Sequence, residues 1–153
     1  EKGLRDSMDE GPLAGYKVVG IKATLYDGSY HPVDSNEQAF KSAARLAFKK
    51  GIVEAKPILL EPIMKLEIRV DDKYMGDVMG DMNKRRGKIL GMEPQEDGSQ
   101  IISALAPESE VLAYSIDLRS MTQARGSFSM EFEKYEEVPK EITEKIIEEN
   151  KKE

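Results

Sequence analysis

Few side chains in this sequence have the chemistry for catalysis, and a single imidazole is the most reactive of them. Histidine occurs once, at His31, and cysteine does not occur, so disulfides, thiol nucleophiles, thiolate metal sites and paired histidine ligands are excluded. His31 follows Tyr30 in "DGSYHPVDS", residues 27–35, at the tip of a turn. Two interpretations remain open for it, a plain polar surface residue or a ring exposed to touch a partner.

Other catalytic arrangements are missing from the sequence. Ser127 and Ser129 have no histidine near them, which argues against a serine triad. Most acidic residues alternate with apolar ones, which is typical of solvent-facing strand positions rather than of a carboxylate pair that works as acid and base. "GDVMGDMNKRRG" has glycines and basic residues but lacks the GK[ST] ending of a phosphate-binding loop. An enzyme with its own active site is therefore the least supported class.

Two basic clusters are candidate contact surfaces. "KRRGK" contributes Lys84, Arg85, Arg86 and Lys88, and "DLRSMTQARGSF" contributes Arg119, Gln123 and Arg125. Each cluster follows a predicted helix, where cations compensate the helix dipole or bond the last carbonyls, and where they can equally contact phosphates. The chain has 23 basic and 29 acidic residues, a net charge of -6, so any contact with nucleic acid must be local.

Hydrophobic periodicity predicts the elements that position these residues in the first part of the chain. "EKGLRDSMDEGP" reads as the end of a helix stopped by Gly11 and Pro12, and "YKVVGIKATLY" alternates as a half-buried strand. Ser35 is predicted to cap a helix that ends at Gly51.

A second pattern begins near Pro62, where we place a domain boundary. From Met64 to Tyr135 the order is strand, helix, strand, strand, helix, strand, which predicts a ferredoxin-like βαββαβ domain. Asp71 or Asp72 is expected to cap its first helix, and a short helix is expected in the tail after Pro139. No apolar run approaches a membrane span and no signal segment is visible, so we expect a cytoplasmic protein.

Four long stretches resemble the C-terminal part of bacterial elongation factor G, the ribosomal translocase. They are "GPLAGYKVVGIKATLYDGSYHPVDSNEQAFKSAA", "ILLEPIMKLEI", "YMGDVMGDMNKRRGKILGME" and "DLRSMTQARGSFSMEFEKYEEVP". The resemblance covers nearly the whole chain and implies an α+β protein of two small domains. Residues 1–62 would be the C-terminal part of the fourth domain, a truncated ribosomal-protein-like α/β fold; residues 63–138 would be the complete ferredoxin-like fifth domain, and residues 139–153 a helical tail.

The same resemblance implies a role and its residues. The tip loop of the fourth domain, which enters the decoding centre of the small ribosomal subunit, falls on Asp27, Gly28, Ser29, Tyr30 and His31. The fifth domain would dock on large-subunit RNA at the GTPase-associated centre, with the two basic clusters as phosphate partners, while tRNA and mRNA occupy the A site. The fragment would lack the GTPase domain of its parent, and would therefore bind no GTP or magnesium and perform no catalysis. It would also lack the opening strands of the fourth domain, so the edge along residues 18–26 is expected to be loosely ordered or to pair with another copy.

One position departs from the family, and two other functions remain open. The family commonly has TQGRG where this chain has "TQARG", so Ala124 replaces a glycine and the turn is expected to tolerate positive φ less well. A ribosome-protection GTPase uses a similar arm but differs at its tip. A stand-alone α+β module that binds a protein is the alternative from a different class.

Overall fold

The structure, a computed structural model, describes residues 1–151, and packing divides the chain into two units. The first unit is Glu1–Leu59 together with the segment that starts at Val138, and the second is Leu60–Glu137. Within the described residues, no helix is both long and apolar enough to cross a lipid bilayer.

The first unit is built on two packed helices, α1 (Lys2–Met8) and α2 (Glu37–Glu54). A glycine permits their close approach, because a Cβ atom on Gly3 would lie 2.7 Å from Cα of Lys41. The predicted helix before Gly11 is therefore present. α2, however, runs through Gly51, and the left-handed exit is at Lys56, where φ is 53°. The predicted end at Gly51 was wrong, since that glycine keeps helical geometry.

The predicted strand along residues 18–26 is absent, because the structure has no strand before Leu60. The segment is open to solvent instead, with Leu25 91% and Tyr26 94% exposed. An alternating pattern indicates only which side chains would share a face if a strand formed. A strand also needs a neighbouring strand to hydrogen-bond with. Among the described residues, no strand pairs with this segment. Phe40 and Leu46 of α2 are exposed as well, so this unit leaves much apolar surface uncovered.

The second unit is a four-stranded antiparallel sheet with helices between its strands. In chain order it contains β1 (Leu60–Asp71), a 3-10 turn (Asp72–Tyr74), α3 (Met75–Lys84), β2 (Lys88–Pro94), β3 (Ser99–Pro107), α4 (Glu108–Val111), α5 (Tyr114–Met121) and β4 (Ser127–Glu137). The strand order is β2-β3-β1-β4 and all pairings are antiparallel. This arrangement confirms the predicted α+β, ferredoxin-like order.

β1 supplies the centre of the core. Leu66, Ile68 and Val70 are at most 1% exposed, and buried residues of the helices pack with them. β1 begins at Leu60, before Pro62, whereas the sequence placed the strand after that proline. Pro62 is tolerated because it pairs only with Tyr135 of β4, and the ladder with β3 starts one residue later, at Ile63.

Two local predictions in this unit need correction. The cap expected from Asp71 or Asp72 is absent: Asp71 makes no capping bond, and Asp72 accepts a hydrogen bond from Gln100 at 2.9 Å. The predicted second helix is two helices, broken between Val111 and Tyr114. This break turns Leu112 outward, 76% exposed, and buries Tyr114 completely, which the periodicity had not indicated.

A tight turn joins β2 to β3 and carries a strongly acidic carboxylate. Oδ1 of Asp97 accepts hydrogen bonds from the hydroxyl of Ser99 at 2.6 Å and from its backbone N–H at 3.0 Å. Arg69 donates to Oδ2 of the same carboxylate at 2.5 Å. These bonds, the hydroxyl of Ser99 foremost and Arg69 after the Ser99 backbone, lower the pKa of Asp97 to about 2.

The second unit begins and ends at one place. Leu60, the first residue of β1, pairs with Glu137, the last residue of β4. Beyond this pair the chain returns to the first unit, where the N–H of Val138 donates to the carbonyl of Leu59 at 2.9 Å. The final helix, α6 (Lys140–Asn150), is present as predicted and keeps Ile142, Ile146 and Ile147 half-buried.

Candidate functional site

The turn that begins at His31, residues 31–35, is closed by backbone and side-chain hydrogen bonds. The backbone N–H of His31 donates to Oγ of Ser35 at 2.7 Å, and the N–H of Ser35 donates to the carbonyl of His31 at 3.0 Å. Ser35 therefore shapes the turn and does not cap α2 as predicted. Asn36 is the cap, and its Oδ1 accepts the N–H of Ala39 at 2.8 Å.

Both rings of the loop are exposed. The side chain of His31 is 63% exposed and Tyr30 is 70% exposed. Nδ1 of His31 accepts the backbone N–H groups of Val33 at 3.3 Å and Asp34 at 3.2 Å, and it lies 3.2 Å from a carboxylate oxygen of Asp34. Asp27 bonds the N–H of Gly28 at 2.8 Å, and Ser29 lies exposed between them and the rings. The five predicted loop residues thus form one exposed strip.

Arg85, in the first basic cluster, is engaged inside its own unit. Its guanidinium donates to Asp81 at 2.7 Å, to the carbonyl of Glu110 at 2.7 Å and to Asp117 at 2.6 Å. It also lies over the ring of Tyr114, 5.2 Å from the centroid. These carboxylates, the bonded Asp81 first, raise the pKa of Arg85, whose side chain is only 17% exposed.

Arg86 is engaged in the same way, while its lysine neighbours are not. Both terminal nitrogens of Arg86 bond the carboxylate of Glu61, a bidentate pair that raises the pKa of Arg86 and in which Glu61 is 12% exposed. Lys84 and Lys88 are exposed to solvent. The cluster that looks uniform in sequence therefore consists of two internal arginines and two outward lysines.

The second cluster surrounds an unusual turn between α5 and β4. Gln123 and Ala124 both have positive φ, 52° and 64°. The hydroxyl of Thr122, which is fully buried, donates to the carbonyl of Leu118 at 2.7 Å and accepts the N–H of Gly126 at 2.9 Å. A Cβ atom at Gly126 would lie 2.9 Å from that hydroxyl, so the turn requires glycine at this position. Ala124, separately, has a positive φ that glycine adopts more easily than alanine.

The polar side chains of this turn point to solvent. Arg119, Gln123 and Arg125 are exposed, and Arg125 has one carboxylate neighbour, Asp71, at 3.4 Å. An exposed pair at that distance contributes little and leaves the guanidinium accessible. Among residues 1–151, no group of three or more histidine, cysteine, aspartate or glutamate side chains could hold a metal ion.

Sequence reasoning identified the loop and the clusters but missed the hydrogen bonds that organise them. Ser35, Thr122 and Asp117 fix the loop, the turn and Arg85 respectively. The sequence carries a weak signal for the first two, since serine and threonine commonly bond nearby backbone groups in turns. It carries none for Asp117, whose partner lies in another helix.

Comparison with known proteins agrees with this architecture. Residues 1–56 match the family model of "Elongation factor G, domain IV", and residues 58–146 match that of "Elongation factor G C-terminus". A solved crystal structure of a protein from Thermus thermophilus is similar, with 44% sequence identity and a TM-score of 0.89 over 99% of this chain. The match covers 23% of that longer chain. This chain belongs to the elongation factor G family and corresponds to a C-terminal portion of it.

Proposed function

We propose that this chain is the ribosome-contacting part of a translation elongation factor G, a cytoplasmic protein that promotes GTP-dependent translocation of tRNA and mRNA. In this proposal the chain acts by binding and positioning, and it performs no covalent chemistry. It holds no cofactor of its own, and GTP with magnesium acts in the GTPase domain of the parent. Its partner surfaces are RNA in both ribosomal subunits.

The exposed loop of residues 27–31 carries the proposal. The backbone of His31 is bonded to Ser35, and the side chains of Tyr30 and His31 are both exposed to solvent. Rings in this situation can stack on unpaired bases and hydrogen-bond to bases and riboses. We therefore assign the loop to the decoding centre, where it acts as a wedge that prevents tRNA and mRNA from slipping back.

The second unit is proposed to dock on large-subunit RNA through its outward polar side chains. The proposed set comprises the exposed members of both clusters: Lys84, Lys88, Arg119, Gln123 and Arg125. Arg85 and Arg86 are left out, because their N–H groups already bond carboxylates within the unit. Phosphate contacts of this kind position a protein without reading sequence.

One observation favours a second candidate, a protein-binding module. The first unit exposes large apolar residues, among them Ile21, Leu25 and Phe40, which suit an apolar protein interface. A ribosome-protection GTPase, the other candidate, would share the RNA surfaces and differ in the tip loop.

The response to salt separates RNA binding from a protein interface. We would measure binding of the chain to purified ribosomes by sedimentation at increasing salt. Contacts with phosphates release counterions, so affinity should fall steeply with salt, whereas an apolar interface should barely respond. Absence of ribosome binding, or binding indifferent to salt, would refute the proposal.

The wedge role is tested in the intact factor with His31→Ala. We expect slower translocation while ribosome-stimulated GTP hydrolysis is largely retained, because the loop lies outside the catalytic domain. Equal loss of both activities would argue against a wedge.

A further inference from the structure

The backbone around His31 distinguishes its two ring nitrogens. Nδ1 accepts two backbone N–H groups, from Val33 at 3.3 Å and from Asp34 at 3.2 Å. A ring nitrogen accepts hydrogen bonds only when it carries no proton, and in a neutral imidazole the proton then resides on the other nitrogen. No protein group bonds Nε2 among residues 1–151, so its N–H faces solvent.

We propose that this loop fixes the tautomer of the neutral His31 ring, with the proton on Nε2, so that the loop presents one hydrogen-bond donor to an acceptor on nucleic acid. The acceptor class is a phosphate, ribose or base oxygen, or an unprotonated base nitrogen. The identity of the partner rests on the proposed function, whereas the state of the ring does not.

Ser35 is the positioning residue in this arrangement. Its hydroxyl accepts the N–H of His31 at 2.7 Å while its own N–H donates to the His31 carbonyl, so the two bonds close the loop on itself. The amides of Val33 and Asp34 lie within this closed turn and reach Nδ1. Without the hydroxyl, the loop loses one of the two bonds that hold the amides in place.

The carboxylate of Asp34 favours the opposite state. It lies 3.2 Å from Nδ1 and would accept a proton placed there. Both groups are well exposed, at 63% and 81%, so solvent weakens this attraction. A proton on Nδ1 would also point at two amide hydrogens that converge on the same atom. The two amides therefore decide the tautomer, and Asp34 acts mainly through its backbone.

The ring is directly observable, because the chain has one histidine. We would label the protein with ¹⁵N and record the two imidazole nitrogens above the pH range in which histidine titrates. The proposal expects the Nδ1 signal of a fully unprotonated nitrogen, with the ring proton on Nε2. A proton on Nδ1, or the averaged signals of a freely exchanging ring, would overturn it.

Three variants and a matched control assign the cause. Ser35→Ala should move the Nδ1 signal towards the averaged value, and Ser35→Thr, which keeps a hydroxyl, should restore it. Ser42→Ala, the control on the exposed surface of α2, should leave it unaltered. Asp34→Asn should also leave it unaltered, because the amides remain; a changed tautomer in Asp34→Asn would instead make the carboxylate the determinant and refute the proposal.

A second arm tests the donor against ribosomal small subunits. His31→Gln keeps an N–H donor at about the reach of Nε2, and His31→Phe keeps a ring without a donor. We expect His31→Phe to bind about ten-fold more weakly than His31→Gln, the loss of one hydrogen bond at a formed interface. If His31→Phe instead binds more tightly than His31→Gln, the contact is made by ring stacking. The proposed hydrogen-bond donor is then refuted, while the proposed function is not affected. If the wild-type chain does not bind at all, the proposed function fails and the NMR result stands by itself.

Discussion

The guanidinium of Arg85, at the end of α3, donates to the carboxylate of Asp117 in α5 at 2.6 Å. The same group bonds Asp81 one helical turn earlier and the carbonyl of Glu110 in α4, so one side chain ties together α3, α4 and α5. Its place in a run of basic residues suggests a surface that recognises phosphate, whereas its contacts are those of a structural clamp.

Arg85→Ala should therefore lower the free energy of unfolding by about 1 to 3 kcal/mol, because it leaves two partly buried carboxylates without their cation. Lys84→Ala, on the neighbouring exposed position, should change it by less than about 0.5 kcal/mol. Urea denaturation followed by circular dichroism measures both. Equal, small effects would mean that the clamp contributes nothing.

Ala124→Gly should stabilise the chain. A left-handed φ costs an L-residue about 1 to 2 kcal/mol, and glycine removes this cost. Glycine also gives the unfolded chain more freedom, which offsets about 0.4 to 1 kcal/mol, so we expect a net gain of about 0.5 to 1 kcal/mol. Ala47→Gly, the same change within α2, should destabilise by about 0.5 to 1 kcal/mol. Thermal unfolding compares them, and a lower melting temperature for Ala124→Gly would contradict the strain at this turn.

Asp97 predicts a stability change in acid. Its pKa in the folded chain, about 2, lies below the ordinary value of 3.8, so folding favours the ionised form. The contribution is fully present above the ordinary pKa and is lost as the pH falls through the folded one. Asp97→Asn should unfold more easily at neutral pH and differ less from wild type near pH 2, the folded pKa. Denaturation series at both pH values would reveal this, and a constant difference between them would count against it.

The amides of residues 19–26 should exchange with solvent at rates close to those of an unfolded peptide, because they have no strand partner in the described chain. The amides of Leu66 and Ile68, on a strand paired on both sides, serve as internal controls and should exchange far more slowly. Hydrogen exchange read by NMR gives both. Protection of residues 19–26 in dilute monomer would show that the segment has a partner within the chain.

The same segment should drive self-association. Its free backbone groups and its exposed apolar side chains, including Ile21 and Leu25, offer a second copy both hydrogen bonds and buried area. Sedimentation velocity should reveal larger species as concentration rises, and Ile21→Lys, which puts a charge on that face, should suppress them. A chain that stays monomeric at high concentration would contradict this expectation.

These cases show where sequence reasoning works in this chain. β2 and β3 coincide with "KILGMEP" and "SQIISALAP", the two stretches that the sequence pattern predicts as strands, because each is bounded by glycine and proline and each finds a neighbour in the sheet. Residues 18–26 alternate just as well yet form no strand, since pairing depends on a partner that local pattern does not describe. The break between α4 and α5 leaves Leu112 exposed and buries Tyr114, and the spacing of the apolar residues does not indicate it.

The candidate site divides in the same way. The exposed turn around His31 was recognisable because polar and glycine residues between two apolar patterns indicate a turn, whereas its assignment as a tip loop rests on the family resemblance alone. The division of "KRRGK" into clamped arginines and free lysines was not, because Glu61 and Asp117 come close to it only after folding. The sequence shows how many basic side chains the cluster has. Whether a basic side chain is free to bind phosphate depends on whether it already pairs with a carboxylate in the folded chain.

The ladder pair of Leu60 and Glu137 places the start and finish of the ferredoxin-like sheet side by side. The second unit therefore has its two ends next to each other, so it is inserted in the chain as a single segment whose entry and exit points are neighbours. Because its ends are adjacent, this unit is suited to insertion into a surface turn of a host protein. It is equally suited to circular permutation, in which the two ends are joined and new ends are opened at the Asp97 turn while the strand order of the sheet stays the same.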